Sequence, residues 1–295
     1  MKGKAKERIE KFEKRVSDRK WNPKTVKQYI LWAERLEKWT DPGDFESYEG
    51  VMFDFDTYLA DLPENPPWNG SKRKGEGFSY RSRIQALSAA KLYLQLMYGA
   101  RLDRDVDEFV SGEKPEFSPE YYEREEVEEI FEKTNRCTYP HCHAMTRLGY
   151  DCILRCAELV QVRREDVDLS KRALEVRAVK RSIPREVQFS GETAELLEPV
   201  MEDRESGHLF LTYETESREG VKPFEPESWS RHFRREHNAK FHKLARHSSI
   251  IHKLQDGWNF GDVYLQARHQ HPSMTAKYAE FAGVEAPDWA EESPF

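Results

Sequence analysis

Residues 246–257 read Arg246-His247-Ser248-Ser249-Ile250-Ile251-His252-Lys253-Leu254-Gln255-Asp256-Gly257, and His269 and Tyr278 follow soon after. Arg155 and Lys180 lie upstream of this run. A planar guanidinium offers paired N–H groups that fit a phosphate edge, so Arg155 and Arg246 can hold two non-bridging oxygens of a phosphodiester. A phenol at Tyr278 can act as nucleophile. Its free pKa of about 10 makes it a weak one, so it needs a site that stabilises the charge growing on the phosphorane. The two arginines and His269 are suited to that task. Taken singly, an arginine or histidine in a helix makes surface pairs, and one tyrosine among thirteen belongs to a core or an interface. The ordered set carries the meaning, not its members.

The spacing resembles that of the tyrosine recombinases, or phage-type integrases, with type IB topoisomerases as mechanistic cousins. The Arg246-His247-hydroxyl start, the closing Gly257, and the intervals to His269 and on to Tyr278 through Pro272, Ser273, Met274 and Thr275 all match that family. Upstream, Leu154-Arg155-Cys156-Ala157-Glu158-Leu159 and then Arg164-Glu165-Asp166-Val167-Asp168 resemble its first arginine motif and the turn after it.

The resemblance implies a mainly α fold in two domains: a SAM-like helical core-binding bundle, and an α+β catalytic domain with a small antiparallel sheet. It implies transesterification with no cofactor, neither metal nor nucleotide. Tyr278 would form a 3′-phosphotyrosyl bond and free a 5′-hydroxyl able to attack a second strand. The implied partner is double-stranded DNA, with one protomer per strand, a tetramer on paired sites and a monomer in isolation. Lys180 is the candidate general acid for the leaving oxygen. It lies where Leu174, Val176 and Ala178 alternate with Glu175 and Arg177, and where Val187 and Phe189 alternate again after Pro184. That period of two predicts a β-hairpin with Lys180 near its tip; ordinary solvated turn charges at Lys180, Arg181 and Arg185 are the alternative.

Departures from the family pattern are specific. The position three before Arg246, usually histidine, is Lys243, which can also donate to phosphate; His242, one residue earlier, is the fallback, and a helix would place either on the Arg246 face. Ile153 and Arg268 stand where glycines are common, and Ala245 where leucine is. Two other classes therefore stay open, a catalytically inactive DNA-binding relative that regulates recombination and a topoisomerase-like DNA relaxer.

A net charge of −7 runs against a phosphate-binding role until it is divided. Residues 1–112 hold 21 basic and 19 acidic side chains, and the remainder 26 and 35, yet Arg231, Arg234, Arg235, Lys240, Lys243 and Arg246 crowd one short stretch. A basic inner face under an acidic exterior reconciles these figures, and Arg231 and Arg235 are candidate DNA contacts. No apolar run approaches a membrane span, and the lysine-rich start lacks an apolar stretch, which predicts a cytoplasmic protein without membrane partners.

Helical periodicity fills the first hundred residues. Ile9, Phe12 and Val16 form one stripe; Asn22-Pro23 caps a second helix carrying Val26, Ile30, Ala33 and Leu36 up to Asp41-Pro42-Gly43. Phe55, Tyr58, Leu59 and Leu62 predict a third helix, and Ile84, Leu87, Ala90, Leu94 and Met97 a fourth. Lys72, Arg73 and Lys74, with Arg81 and Arg83 at the head of that fourth helix, are candidate contacts to the DNA backbone. The expected organisation is a DNA-clamping domain over 1–112, a linker at 113–119, a catalytic domain over 120–284 opened by a helix at Ser118-Pro119-Glu120, and a short acidic tail at 285–295.

Cys137, His141, Cys142 and His143 cluster in sequence, and Cys152 and Cys156 flank Arg155. These spacings match no common paired CxxC arrangement, so the expectation is free thiols and no metal.

Overall fold

Asn22 accepts the backbone N–H of Lys24 at 2.9 Å through its side chain and Pro23 takes the first helical position, so a helix begins where the cap chemistry puts it. The computed structural model describes residues 3–40, 47–61, 77–139, 141–178, 183–202, 206–212 and 222–290. The chain divides into two compact units, residues 1–116 and 117–295.

The first unit consists of α1 (Gly3–Ser17), α2 (Pro23–Trp39), α3 (Tyr48–Ala60) and α4 (Tyr80–Tyr98). The stripes expected from periodicity are the buried ones: Phe12 and Val16, Ala33 and Leu36, Phe55 and Leu59, Leu87, Ala90 and Leu94 close on one another without water. Glu37, buried on α2, accepts from both Arg8 nitrogens at 2.9 and 2.7 Å and from Tyr98 at 2.9 Å, with Tyr93 as a fourth donor. Buried charge is tolerable there because every partner is in place.

Arg83 departs from its expected role. Its guanidinium is turned inward, donating to Asp56 at 2.7 Å and to the Ser111 hydroxyl and carbonyl at 2.9 and 2.8 Å. A side chain that balances the buried Asp56 carboxylate cannot also reach a phosphate. Arg81 is exposed, and Lys72, Arg73 and Lys74 lie outside the described residues.

The second unit opens with α5 (Arg124–Asn135) and α6 (Cys142–Asp151), and the single turn α7 (Cys156–Leu159) leads into a sheet. α5 starts later than Ser118-Pro119-Glu120. The Glu123 N–H is capped by Glu126 at 2.9 Å, and Tyr122 is tied elsewhere, donating its N–H to Ser248 Oγ and accepting the Lys240 N–H on its hydroxyl, both at 2.8 Å. β1 (Val167–Asp168), β2 (Ala173–Val176) and β3 (Arg185–Gln188) form an antiparallel sheet in that order. Leu174 pairs with Val187 and both are buried, while the paired Glu175 and Glu186 face water, as alternation requires. Lys180, expected near the hairpin tip, lies outside the described residues.

α8 (Gly191–Glu202), α9 (Pro226–His237), a π-helical turn at Lys243–Ser248, α10 (Ser249–Gln255), α11 (Phe260–Ala267) and α12 (Pro272–Ala282) complete the unit. α6 is its axis. A Cβ added at Gly149 would come within 2.5 Å of the Phe241 ring and 3.6 Å of Ala245, so a bare backbone on α6 and a small residue in the π turn allow these segments to close. The leucine usual at 245 would not fit that approach. Among the described residues no helix is long and apolar enough to cross a membrane.

Candidate active site

Two residues in the left-handed region shape the backbone around the reactive groups. Ile153 (φ 50°) and Arg268 (φ 52°) stand at the positions where the resemblance leads one to expect glycine. Glycine enters that region freely and a β-branched residue resists it, so a glycine at either position would answer a need of the backbone rather than of the chemistry. Ile153 is buried in an apolar cluster with Ile250, Ile251 and Val263, while Arg268 turns its side chain into the protein.

Arg268 organises what lies around it. Its guanidinium, fully buried, donates to the carbonyls of Cys152 at 3.0 Å and Ile153 at 2.9 Å and to Glu158 Oε2 at 2.8 Å. Glu158 in turn accepts the Arg155 N–H and its Nη1, each at 2.8 Å. Burial works against the Glu158 charge, but Arg268 and Arg155 outweigh it and hold the carboxyl below the usual range. Arg155 is thereby positioned at the N-cap of α7 with its side chain 39% exposed, within reach of a ligand.

Arg246 comes from the π turn and is buried, its Nη1 donating to the carbonyls of Ile153 at 3.0 Å and Ala267 at 2.9 Å. Burial, then repulsion from Arg155 and Arg268, presses its pKa down. A guanidinium stays protonated all the same, and three cations gathered around one buried carboxylate form a site short of anionic charge.

His269 and Tyr278 complete the set. The His269 Nδ1 is 2.8 Å from Thr275 Oγ1, and its ring lies nearly parallel to that of Tyr278, centroids 5.9 Å apart and planes 12° from parallel. Phe117 and His247 meet the Tyr278 ring edge-on at 4.9 and 5.8 Å. Burial raises the Tyr278 pKa while Arg246 and Arg155 pull against that rise. His269 is pushed well below its ordinary value, first by burial and then by Arg246, Arg155 and Arg268. It is neutral near pH 7.

The structure separates the two candidates for the third position. Lys243 sits with Nζ 3.9 Å above the Tyr122 ring. His242, exposed along one side, packs its ring 4.7 Å from His247, and its pKa is lowered by partial burial and by His247, Arg246 and Arg155. Its charge is therefore sensed by the arginine cluster. Arg231 and Arg235 are exposed on α9, with Arg235 paired to Glu236 at 2.7 Å.

Sequence reasoning did not find Glu158, Arg268 or Thr275 as members of this group. Glu158 had a signal, a carboxylate three residues after an N-cap, the spacing of a capping pair. The cysteine cluster also rearranges. His143 bonds to Thr134 Oγ1 at 2.9 Å, Cys152 and Cys156 approach the carbonyls of Gln188 and Pro226, and all four cysteines are free thiols. Cys137 and Cys142 face histidines from a distant helix, and the expectation of no metal must be reconsidered for that pair.

The depressed His269 pKa has a consequence for stability. The unfolded chain binds a proton on this histidine near pH 6.5 and the folded one does not, so its contribution is complete above about pH 6.5 and is lost as pH falls. The urea midpoint is expected to drop between pH 7.5 and 5.5, less steeply in His269→Gln. Equal midpoints across that range, or equal slopes in the two proteins, would rule out a neutral buried imidazole.

A helical unit followed by a helical unit with a small antiparallel sheet is the architecture of the integrases, and the pattern of the phage integrase family matches residues 120–283. The chain belongs to this family, the tyrosine recombinases. It is 25% identical to tyrosine recombinase XerA of Thermococcus kodakarensis over 276 residues, 92% of this chain and 90% of that protein. The integrase of transposon Tn1549, in complex with circular intermediate DNA, superposes with a TM-score of 0.66 at 14% identity, covering 96% of this chain and 97% of that one. A lambda integrase tetramer bound to a Holliday junction gives 0.66 at 12% identity, covering 96% and 79%. At such identities the likeness is one of fold.

Proposed function

We propose that this chain is a site-specific DNA recombinase that cleaves and rejoins strands through a 3′-phosphotyrosyl intermediate. The observation that carries this reading is the convergence of Tyr278, stacked on neutral His269, with Arg155 and Arg246 around one buried carboxylate. In the proposed step the Tyr278 hydroxyl loses its proton as its oxygen bonds to phosphorus, the bond from phosphorus to the 5′-oxygen breaks, and that oxygen takes up a proton, so one proton leaves and one arrives. Arg155 and Arg246 stabilise the phosphorane, where each charge-assisted contact is worth about 3 kcal/mol. His269 holds a hydrogen bond to Thr275 through Nδ1, so its Nε2 is the nitrogen left to serve the phosphate or the phenolic proton. Lys180 remains the candidate acid, and either Lys243 or His242 the third donor.

Tyr278 is 5% exposed, so it must uncover before it attacks. DNA is the proposed partner, bound by a clamping domain at 1–112 and by the catalytic domain at 120–284, with a tetramer on paired sites and action in the cytoplasm.

Covalent capture tests the proposal. The wild type and Tyr278→Phe are incubated with a randomised library of nicked duplexes, denatured, and assayed for protein-linked DNA. Adducts confined to the wild type and mapped to Tyr278 are expected. Duplex binding without any adduct would favour an inactive DNA-binding relative, and relaxation of plasmids lacking paired sites a topoisomerase-like relaxer.

A further inference from the structure

Cys137 follows α5, Cys142 opens α6, and His232 and His237 lie on the last turns of α9. Cys137 Sγ is 3.8 Å from His232 Nε2 and Cys142 Sγ is 3.1 Å from His237 Nε2, each pair being 95 positions apart in sequence. One ligand atom from each of the four residues falls within 4.8 Å of the other three. Tetrahedral zinc with Zn–S of about 2.3 Å and Zn–N of about 2.0 Å sets sulfur and nitrogen about 3.5 Å apart, and the observed distances bracket that value. We infer that Cys137, Cys142, His232 and His237 form a structural zinc site in the second unit.

Four features support the assignment. The spacings, Cys-x4-Cys and His-x4-His, fall within those of Cys2His2 sites. Both histidines present Nε2, and their rings are held in place, His232 stacked on Trp229 (5.6 Å, 25°) and His237 against Phe233 (5.1 Å, 65°). Two cysteines and two histidines are a donor set of structural zinc, which takes them as thiolates and neutral imidazoles. With all four positions filled by protein the site is closed, which suits a structural rather than a catalytic ion.

Its place in the fold gives the ion a task. α6 runs from Cys142 to the segment carrying Arg155, and α9 ends at His237 just before the segment carrying Arg246. Zinc would join the start of one to the end of the other, fixing the frame from which both arginines project. The site was hidden in sequence because its halves are far apart, and Cys142 pairs in space with neither His141 nor His143.

Metal content tests this without DNA or activity. Protein purified from zinc-supplemented cells is expected to hold one zinc per chain by elemental analysis. Cys142→Ser and His237→Gln should each lose it, and Cys156→Ser should keep it. To test the site in a protein with every ligand in place, the wild type is also reconstituted with cobalt(II), which should give the intense d–d absorption of a tetrahedral site together with a thiolate charge-transfer band. Folded wild type with zinc below about a tenth of an equivalent, a six-coordinate cobalt spectrum, or zinc retained in both ligand variants would overturn the assignment.

Discussion

Arg246→Ala is expected to slow strand cleavage by at least about a thousandfold while weakening duplex binding by less than about tenfold. Of the two arginines proposed to hold the phosphate, Arg246 is the buried one, its guanidinium donating to the Ile153 and Ala267 carbonyls at 3.0 and 2.9 Å. A donor fixed in that way need not reorganise as charge grows on the phosphorane, so most of its worth belongs to the transition state rather than to the bound duplex. Arg246→Lys should recover little, because an ammonium lacks the planar fork that lets a guanidinium keep the carbonyls on one nitrogen and present others to a phosphate edge. Removing the guanidinium also takes the Arg246 donor from the Ala267 carbonyl, at about 1 kcal/mol, while the Ile153 carbonyl keeps Arg268, so single-turnover rates must be taken on protein shown by its melting curve to be folded. Equal losses in binding and cleavage would remove Arg246 from the role proposed for it.

The second large effect falls on stability. Among the described residues, Glu158→Gln strips the one carboxylate hydrogen-bonded to Arg268, whose guanidinium is fully buried, and also releases Arg155. An uncompensated buried cation costs about 3–5 kcal/mol, which for a domain of this size corresponds to a melting temperature lower by on the order of 10 °C. The pair is separable from its parts by a double-mutant cycle. Arg268→Met in the Glu158→Gln background should destabilise far less than in the wild type, since the charge left stranded by the first change is removed by the second. Strictly additive losses would show that the two side chains do not depend on each other. Cleavage by Glu158→Gln should fall as well, through the position of Arg155.

Much of this was legible in sequence, and the parts that were share a physical origin. Helices whose apolar residues recur every three or four positions, such as Ile9-Phe12-Val16, bury those residues because burial is what the pattern encodes. The hairpin was visible for the same reason at period two. Arg246, His269 and Tyr278 could be located because their spacing reflects fixed distances along the π turn, α10, α11 and α12. Glu158, Arg268 and Thr275 act only through partners that folding brings near, and Arg83 looked like a surface cation because its partner Asp56 lies on another helix. The start of α5 was misplaced because Tyr122 is held by Ser248 and Lys240, more than a hundred positions away.

Ile153 and Arg268 make one more contribution, and it lies in the unfolded chain. A residue forced into the left-handed region costs about 1–2 kcal/mol relative to glycine in the folded state. Glycine, though, would let the denatured chain sample many more backbone conformations, all of which folding must surrender, so part of the steric cost is returned as a narrower ensemble to collapse. The carbonyl of Ile153 receives both Arg246 and Arg268. Drift at either left-handed position is therefore constrained by the other: glycine at 268 would leave Glu158 with Arg155 alone, and glycine at 153 would loosen the oxygen that two guanidinium groups share.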